Sequence, residues 1–205
     1  MNFASEFSKC PLIAILRGVL PGEIIAVCET LQAAGIRLLE IPLNSPDAIQ
    51  SIRLAAARFH PAGQLWIGAG TVLNTTQVSE VVAAGGKFMI SPNCDGAVIR
   101  ASRAAGAVSI PGFLTPTEAF AAQDAGADYL KLFPAGSLGP AYINDLRAVI
   151  AKPILAVGGI NRENLADFLQ VSDGVGIGSA LYKPGKSATE LRRDAEWFVS
   201  IARSQ

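Results

Sequence analysis

The stretch Thr115-Pro116-Thr117-Glu118-Ala119-Phe120-Ala121-Ala122-Gln123-Asp124-Ala125-Gly126-Ala127-Asp128-Tyr129-Leu130-Lys131-Leu132-Phe133 holds one complete phrase of the chain. It opens with a capping oxygen ahead of a proline suited to the first helical position, and Glu118 stands where it can close a capping box with Thr115. An Ala-rich helical run follows and reaches Ala125-Gly126, where glycine suits the left-handed residue that ends a helix. Asp128–Phe133 then reads as a strand. The unit is helix, glycine, strand, and it recurs. Gly35, Gly85 and Gly106 also follow alanine and precede strand-like runs, Ser45-Pro46 offers another cap before a proline, and Ser187 with Glu190 forms a second capping box. Ile24, Val27, Cys28 and Leu31 have the spacing of a helix with one buried face, which places Cys28 in the core.

Strands are expected at Leu12–Arg17, Arg37–Ile41, Leu65–Gly70, Lys87–Ser91, Val108–Pro111, Asp128–Phe133, Ile154–Val157 and Gly174–Gly178. Strands that alternate strictly with helices imply a parallel sheet, because parallel neighbours need crossover connections. Eight such units close most simply into an α/β (β/α)8 TIM barrel, with a doubly wound open sheet as the alternative. The 205 residues allow about 26 per unit, fewer than the ~250 residues usual for this fold, so the loops must be tight. No linker or low-complexity tract interrupts the pattern, and a single domain over 1–205 is expected.

Composition narrows the function. Half of the residues are hydrophobic and 17% are charged, which describes a globular chain and excludes disorder, collagen and coiled coil. Lys plus Arg equals Asp plus Glu at 17 each, so no global field gathers nucleic acid or anionic membrane, and an anionic ligand must be held locally. Cys10, Cys28 and Cys94 do not form a disulfide framework or a zinc motif, and His60 is the only histidine, so no metal site is expected. The N-terminus lacks a basic segment followed by an apolar one, and no apolar run has the roughly 18–20 residues of a membrane span, so a cytoplasmic protein is expected.

In a parallel barrel the active site lies at the C-terminal strand ends, where this chain carries Arg17, Glu40, Thr71, Ser91, Lys131, Gly158-Gly159 and Gly178-Ser179. Side chains alternate along a strand, so if Leu130 and Leu132 face the helices, Lys131 faces the interior with Tyr129 and Phe133. The same rule sends Leu39 and Ile41 outward and Leu38 and Glu40 inward. An amine in apolar surroundings has a lowered pKa and is free to attack a carbonyl, while a nearby carboxyl group can move protons. The alternative is a buried Lys131–Glu40 ion pair that only fixes the interior. The glycine loops after the seventh and eighth strands are placed to bind phosphate through backbone N–H groups, or are simply tight turns. Ser137 and Asn161 could donate to a ligand or serve as turn and cap residues, with the cap reading favoured for Asn161. Arg17 could fork onto a carboxylate or pair with Glu40. His60, beside Phe59 and Pro61, is expected in a surface loop at the opposite end, and Cys94, without a histidine partner, is incidental.

Leu38-Leu39-Glu40-Ile41-Pro42-Leu43-Asn44-Ser45, Gly68-Ala69-Gly70-Thr71-Val72-Leu73, Ile90-Ser91-Pro92-Asn93 and Leu130-Lys131-Leu132-Phe133-Pro134-Ala135 resemble the signature blocks of the 2-keto-3-deoxy-6-phosphogluconate and phosphogalactonate aldolases. The resemblance runs from about Pro11 to Trp197. It implies a (β/α)8 Schiff-base aldolase, independent of metal and cofactor and usually trimeric, that reversibly cleaves a phosphorylated keto-deoxy sugar acid to pyruvate and glyceraldehyde 3-phosphate. By motif position it implies Lys131 as the imine-forming residue, Glu40 as proton shuttle, Arg17 and Thr71 at the pyruvate carboxylate, and Pro92 and Phe133 as pocket walls. Gly158, Gly159, Gly178 and Ser179 would hold the phosphate. Ala14-Ile15-Leu16-Arg17-Gly18, Asn44 and Val157 resemble the phosphogalactonate branch, where the gluconate branch tends to have Arg for Asn44 and Thr for Val157. A phosphate-binding barrel without imine chemistry, or a non-catalytic sugar-phosphate binder, are the competing classes.

Overall fold

A computed structural model describes residues 2–204, so the two ends of the expected 1–205 domain, Met1 and Gln205, lie outside the described residues. Helix α1 (Phe3–Lys9) precedes strand β1 (Leu12–Ile15), and strands then alternate with helices: α2 (Ile24–Ala33), β2 (Leu38–Pro42), α3 (Ala48–Phe59), β3 (Trp66–Gly70), α4 (Thr75–Ala83), β4 (Phe88–Ile90) and α5 (Gly96–Ala104). After β5 (Val108–Ile110) and β6 (Gly112–Phe113) come α6 (Pro116–Asp124), β7 (Leu130–Leu132), α7 (Pro140–Leu146), β8 (Ile154–Val157), α8 (Leu165–Val171), β9 (Gly174–Ile177) and α9 (Ala188–Ala202). Every strand pair is parallel, in the order β5-β4-β3-β2-β1-β9-β8-β7-β6.

The two ends of that order are one strand of the chain broken at Pro111. Proline has no N–H to give to a ladder, so the strand is split there, with β5 pairing to β4 and β6 pairing to β7. The seam is bonded across: the N–H groups of Asp128 and Lys131 donate to the carbonyls of Ser109 (3.0 Å) and Pro111 (2.9 Å). The fold is therefore the expected (β/α)8 barrel, and the open doubly wound sheet is ruled out. Gly112 makes the bend possible, because a Cβ there would stand 2.3 Å from the carbonyl of Pro92.

The local signals of the sequence hold at most helix ends. Both capping boxes form, Thr115 with Glu118 and Ser187 with Glu190, and Gly35, Gly85, Gly106 and Gly126 all have positive φ. The Ser45-Pro46 cap does not form. Asp47 precedes α3 instead, and the Ser45 hydroxyl accepts a hydrogen bond from the Gly18 N–H (2.9 Å), joining the loops after β1 and β2. A tertiary donor thus outcompetes the local one. No helix among the described residues is long and apolar enough to cross a membrane.

Strand alternation divides the core in two. Leu39, Ile41, Leu130 and Leu132 pack in the layer between strands and helices, with Cys28 of α2, whose thiol burial pushes up to about 12. Ile13, Leu38, Phe88, Ile110 and Leu155 fill the barrel interior. The sequence reading did not anticipate α1, which is capped by the Asn2 side chain and closes the N-terminal end of the barrel. Its Phe3 and Phe7, one helical turn apart, pack against Trp66, Phe88 and Tyr129 with ring centroids 5.2–5.8 Å apart. Replacing Phe7 by Ala should lower stability by about 3 kcal/mol or more, read from the urea midpoint, because the void lies in the barrel interior. An unchanged midpoint would show that α1 does not serve as a plug.

Candidate active site

Lys131 is the middle residue of β7, and its neighbours Leu130 and Leu132 face the helix layer, so its side chain points into the barrel. It is 7% exposed, and its Nζ lies 4.6 Å from the centroid of the Phe133 ring. Burial drives the amine pKa below its ordinary value, opposed by the charge of Glu40 and reinforced by that of Arg17. Glu40, on β2, is 2% exposed, and burial raises its carboxyl pKa against the pull of Lys131 and Arg17. Its Oε2 has no hydrogen-bond partner, and its other oxygen lies against the backbone of Gly70, where a Cβ would stand 1.5 Å away. The fixed ion pair that would tie both groups up is therefore absent among the described residues. The carboxyl group, part of the cavity lining, keeps one buried oxygen without a protein partner.

Arg17 does not pair with Glu40 either. Its Nη1 donates to Asn44 Oδ1 at 2.7 Å, across from the loop after β1 to the loop after β2. The sequence reading used Asn44 only as a branch marker and missed this contact, since the two residues are 27 positions apart. Thr71 follows β3 with φ of 57°, a left-handed conformation that costs a β-branched residue about 1–3 kcal/mol. Ser91 supports that turn, because its hydroxyl donates to the Val72 carbonyl at 2.7 Å.

Opposite these groups, Val157 ends β8 and leads into Gly158 and Gly159, both with positive φ. Their carbonyls are tied back, Gly158 accepting from the Gly136 N–H (2.8 Å) and Gly159 from the Asn164 side-chain amide (2.9 Å). After β9, the Gly178 carbonyl accepts from the N–H groups of Leu181 and Tyr182. Among the described residues no protein acceptor meets the N–H of Gly159 or Ser179, which leaves both as donors at the cavity wall. Asn161 serves the turn before α8, accepting from the N–H groups of Glu163 and Asn164, and Asn164 is the residue that precedes the helix.

One cavity of about 470 Å³ at the C-terminal mouth is lined by Lys131, Glu40, Arg17, Thr71, Pro92, Phe133, Val157, Gly158, Gly159, Gly178 and Ser179, whereas Ser91 and Asn161, also considered from the sequence, are not part of its lining. Tyr182, Lys183 and Pro184 also line it and were missed. Lys183 was detectable in principle as a cation four residues after Ser179 in the same loop. Ser137 is exposed and outside this lining. His60 is at the opposite end, as expected, but it is half-buried rather than loose on the surface, and its Nε2 accepts from the Ile67 N–H at 3.3 Å. No cluster of three or more His, Cys, Asp or Glu side chains suited to a metal occurs among the described residues.

The profile of the family described as KDPG and KHG aldolase matches residues 4–192. The chain belongs to this aldolase family. It is 50% identical to the "Probable 2-dehydro-3-deoxy-6-phosphogalactonate aldolase" of Rhizobium meliloti (strain 1021), with 90% of this chain and 88% of that protein covered. It is 42% identical to the 2-dehydro-3-deoxy-6-phosphogalactonate aldolase of Escherichia coli (strain K12), with 96% of each covered. A solved structure described as "Native KDPGal structure" superposes with a TM-score of 0.92 at 41% identity, covering 96% of both chains.

In this family member the electrostatics of the two inward groups are coupled, which gives a signed expectation. The negative charge of Glu40 opposes the fall of the Lys131 pKa, so Glu40→Gln should move that pKa further down. The measurement is reductive ¹³C-methylation of the lysines followed by an NMR pH titration of the Lys131 signal. An upward shift would contradict the coupling.

Proposed function

We propose that this chain is a class I aldolase that reversibly cleaves 2-dehydro-3-deoxy-6-phosphogalactonate to pyruvate and D-glyceraldehyde 3-phosphate. The observation that carries the reading is the meeting of a dehydrated lysine and an unpartnered buried carboxyl group in one cavity, opposite two glycine loops with free N–H donors. The Lys131 amine adds to the C2 carbonyl, and the Glu40 carboxylic acid gives its proton to the carbinolamine hydroxyl, which leaves as water and yields a protonated imine and the Glu40 carboxylate. Glu40 as carboxylate accepts the proton of the C4 hydroxyl while the C3–C4 electron pair moves to the imine nitrogen. This releases the aldehyde and leaves an enamine. Glu40 then returns its proton to C3, and water hydrolyses the imine to pyruvate and the free amine.

The raised carboxyl pKa and lowered amine pKa suit these roles, because each group changes protonation during the cycle. Arg17, held by Asn44, and Thr71 stand for the pyruvate carboxylate, with Pro92 and Phe133 as walls. Gly158, Gly159, Gly178 and Ser179 hold the phosphate, and Lys183 adds a positive charge at that end. We read the whole chain as one catalytic domain, acting in the cytoplasm as a homotrimer in galactonate degradation. The 50% and 42% identical relatives support the galactonate substrate.

Two measurements test this. Incubation with pyruvate and sodium borohydride should leave a reduced pyruvyl adduct confined to Lys131 by peptide mapping, and Lys131→Ala should leave none. A folded protein without adduct would refute imine chemistry. For substrate choice, Val157 places a methyl group where a hydroxyl would favour a different orientation at C4, and such contacts discriminate by about tenfold or more. The galactonate epimer should therefore have the higher kcat/KM, and equal or better cleavage of the gluconate epimer would assign the chain to that substrate.

A further inference from the structure

Asp194 lies on α9, outside the cavity, with its side chain 13% exposed. Its Oδ1 accepts from Arg162 Nη2 at 2.8 Å and its Oδ2 from Lys186 Nζ at 2.5 Å. Arg162 follows the Gly158-Gly159 loop by three positions, and its guanidinium stands 4.5 Å from the centroid of the Trp197 ring of α9. Lys186 belongs to the segment that leaves Gly178-Ser179, and its Nζ also donates to the Leu181 carbonyl at 2.6 Å. That segment carries Lys183 and Pro184 along the cavity wall. The segments that leave the two glycine loops, which come from different strands, are thus held by the two oxygens of one carboxylate.

We propose that Asp194 is a positioning residue for the phosphate end of the cavity: it sets the spacing of the two glycine loops and the course of the Lys183 segment. This rests on the reading of those loops as a phosphate site. An exposed ion pair contributes little to stability, about 0–1 kcal/mol. Three cations gathered on one largely covered carboxylate do more for geometry than for stability, since Arg193 also approaches it at 3.5 Å. Anion binding by backbone N–H groups depends on convergent donors. A displacement of about 1 Å between the loops weakens it severely.

The test compares the wild type with Asp194→Asn and the conservative Asp194→Glu. Three quantities are read: the Kd for inorganic phosphate from a ³¹P NMR titration, kcat and KM for the phosphorylated substrate, and the rate of borohydride trapping with pyruvate. Asp194→Asn is expected to raise the phosphate Kd and the substrate KM about tenfold, with kcat and pyruvate trapping within about twofold of the wild type. Asp194→Glu should recover part of the loss. An unchanged phosphate Kd, or a parallel fall in pyruvate trapping that marks general loosening, overturns the proposal, as does a wild type that binds no phosphate. If Asp194→Asn does not fold, Lys186→Met cuts one arm and must still weaken phosphate selectively. A wild type that binds phosphate through this clamp but traps no pyruvate would refute the aldolase reading and leave the clamp standing.

Discussion

The removal of Lys131 and Glu40 from water is the constraint on which the rest of the structure depends. An ammonium and a carboxylate are both expensive to bury, and here each is left without the close ion pair that would offset that expense. A chain keeps such a pair only where the surrounding structure holds it in place. The closed barrel does this by parallel strands on every side and by the aromatic packing of Phe3 and Phe7 at the N-terminal end. Gly70 completes the arrangement. Any side chain there would occupy the space of the Glu40 carboxyl group, so the position of that carboxyl is set by an absence of atoms on the next strand.

The cavity is polarised by where the strands end. Charged side chains on β2 and β7 occupy its depth, where low polarity changes their proton affinity. Backbone donors after β8 and β9 occupy the wall, where an anion can stay partly hydrated. Low polarity favours the neutral form of an amine, whereas fixed backbone donors favour an anion. The loops that carry the donors have their carbonyls tied to Gly136, Asn164, Leu181 and Tyr182, while the N–H groups of Gly159 and Ser179 meet no protein acceptor among the described residues. In the outer layer, Asp194 of α9 pairs with Arg162 and Lys186, which stand on the segments leaving those loops.

Much of this was legible residue by residue. The helix, glycine, strand phrase around Gly126 is local chemistry, and it predicted the barrel because capping and left-handed glycines act within a few residues. Alternation placed Lys131 and Glu40 on inner faces because a strand has a period of two whatever its neighbours. What the sequence left open or incomplete involves partners beyond the local run. Ser45 looked like a cap but bonds to Gly18, Arg17 turned to Asn44 rather than Glu40, and His60 is half-covered by contact with Ile67. The helix carrying Phe3 and Phe7 was passed over because its purpose is visible only once a barrel exists for it to close.

The sequence by itself determined the repeating unit, the inward placement of the lysine and the glutamate, and the glycine loops, since each follows from backbone geometry over a few residues. Tertiary structure alone decided the fit of Glu40 against Gly70, the hold of Asn44 on Arg17 and the place of Lys183 at the cavity wall. The physical reason is range. Capping and strand alternation act along the chain, whereas desolvation, steric fit and ion pairing depend on which distant segments the closed fold brings within a few ångströms.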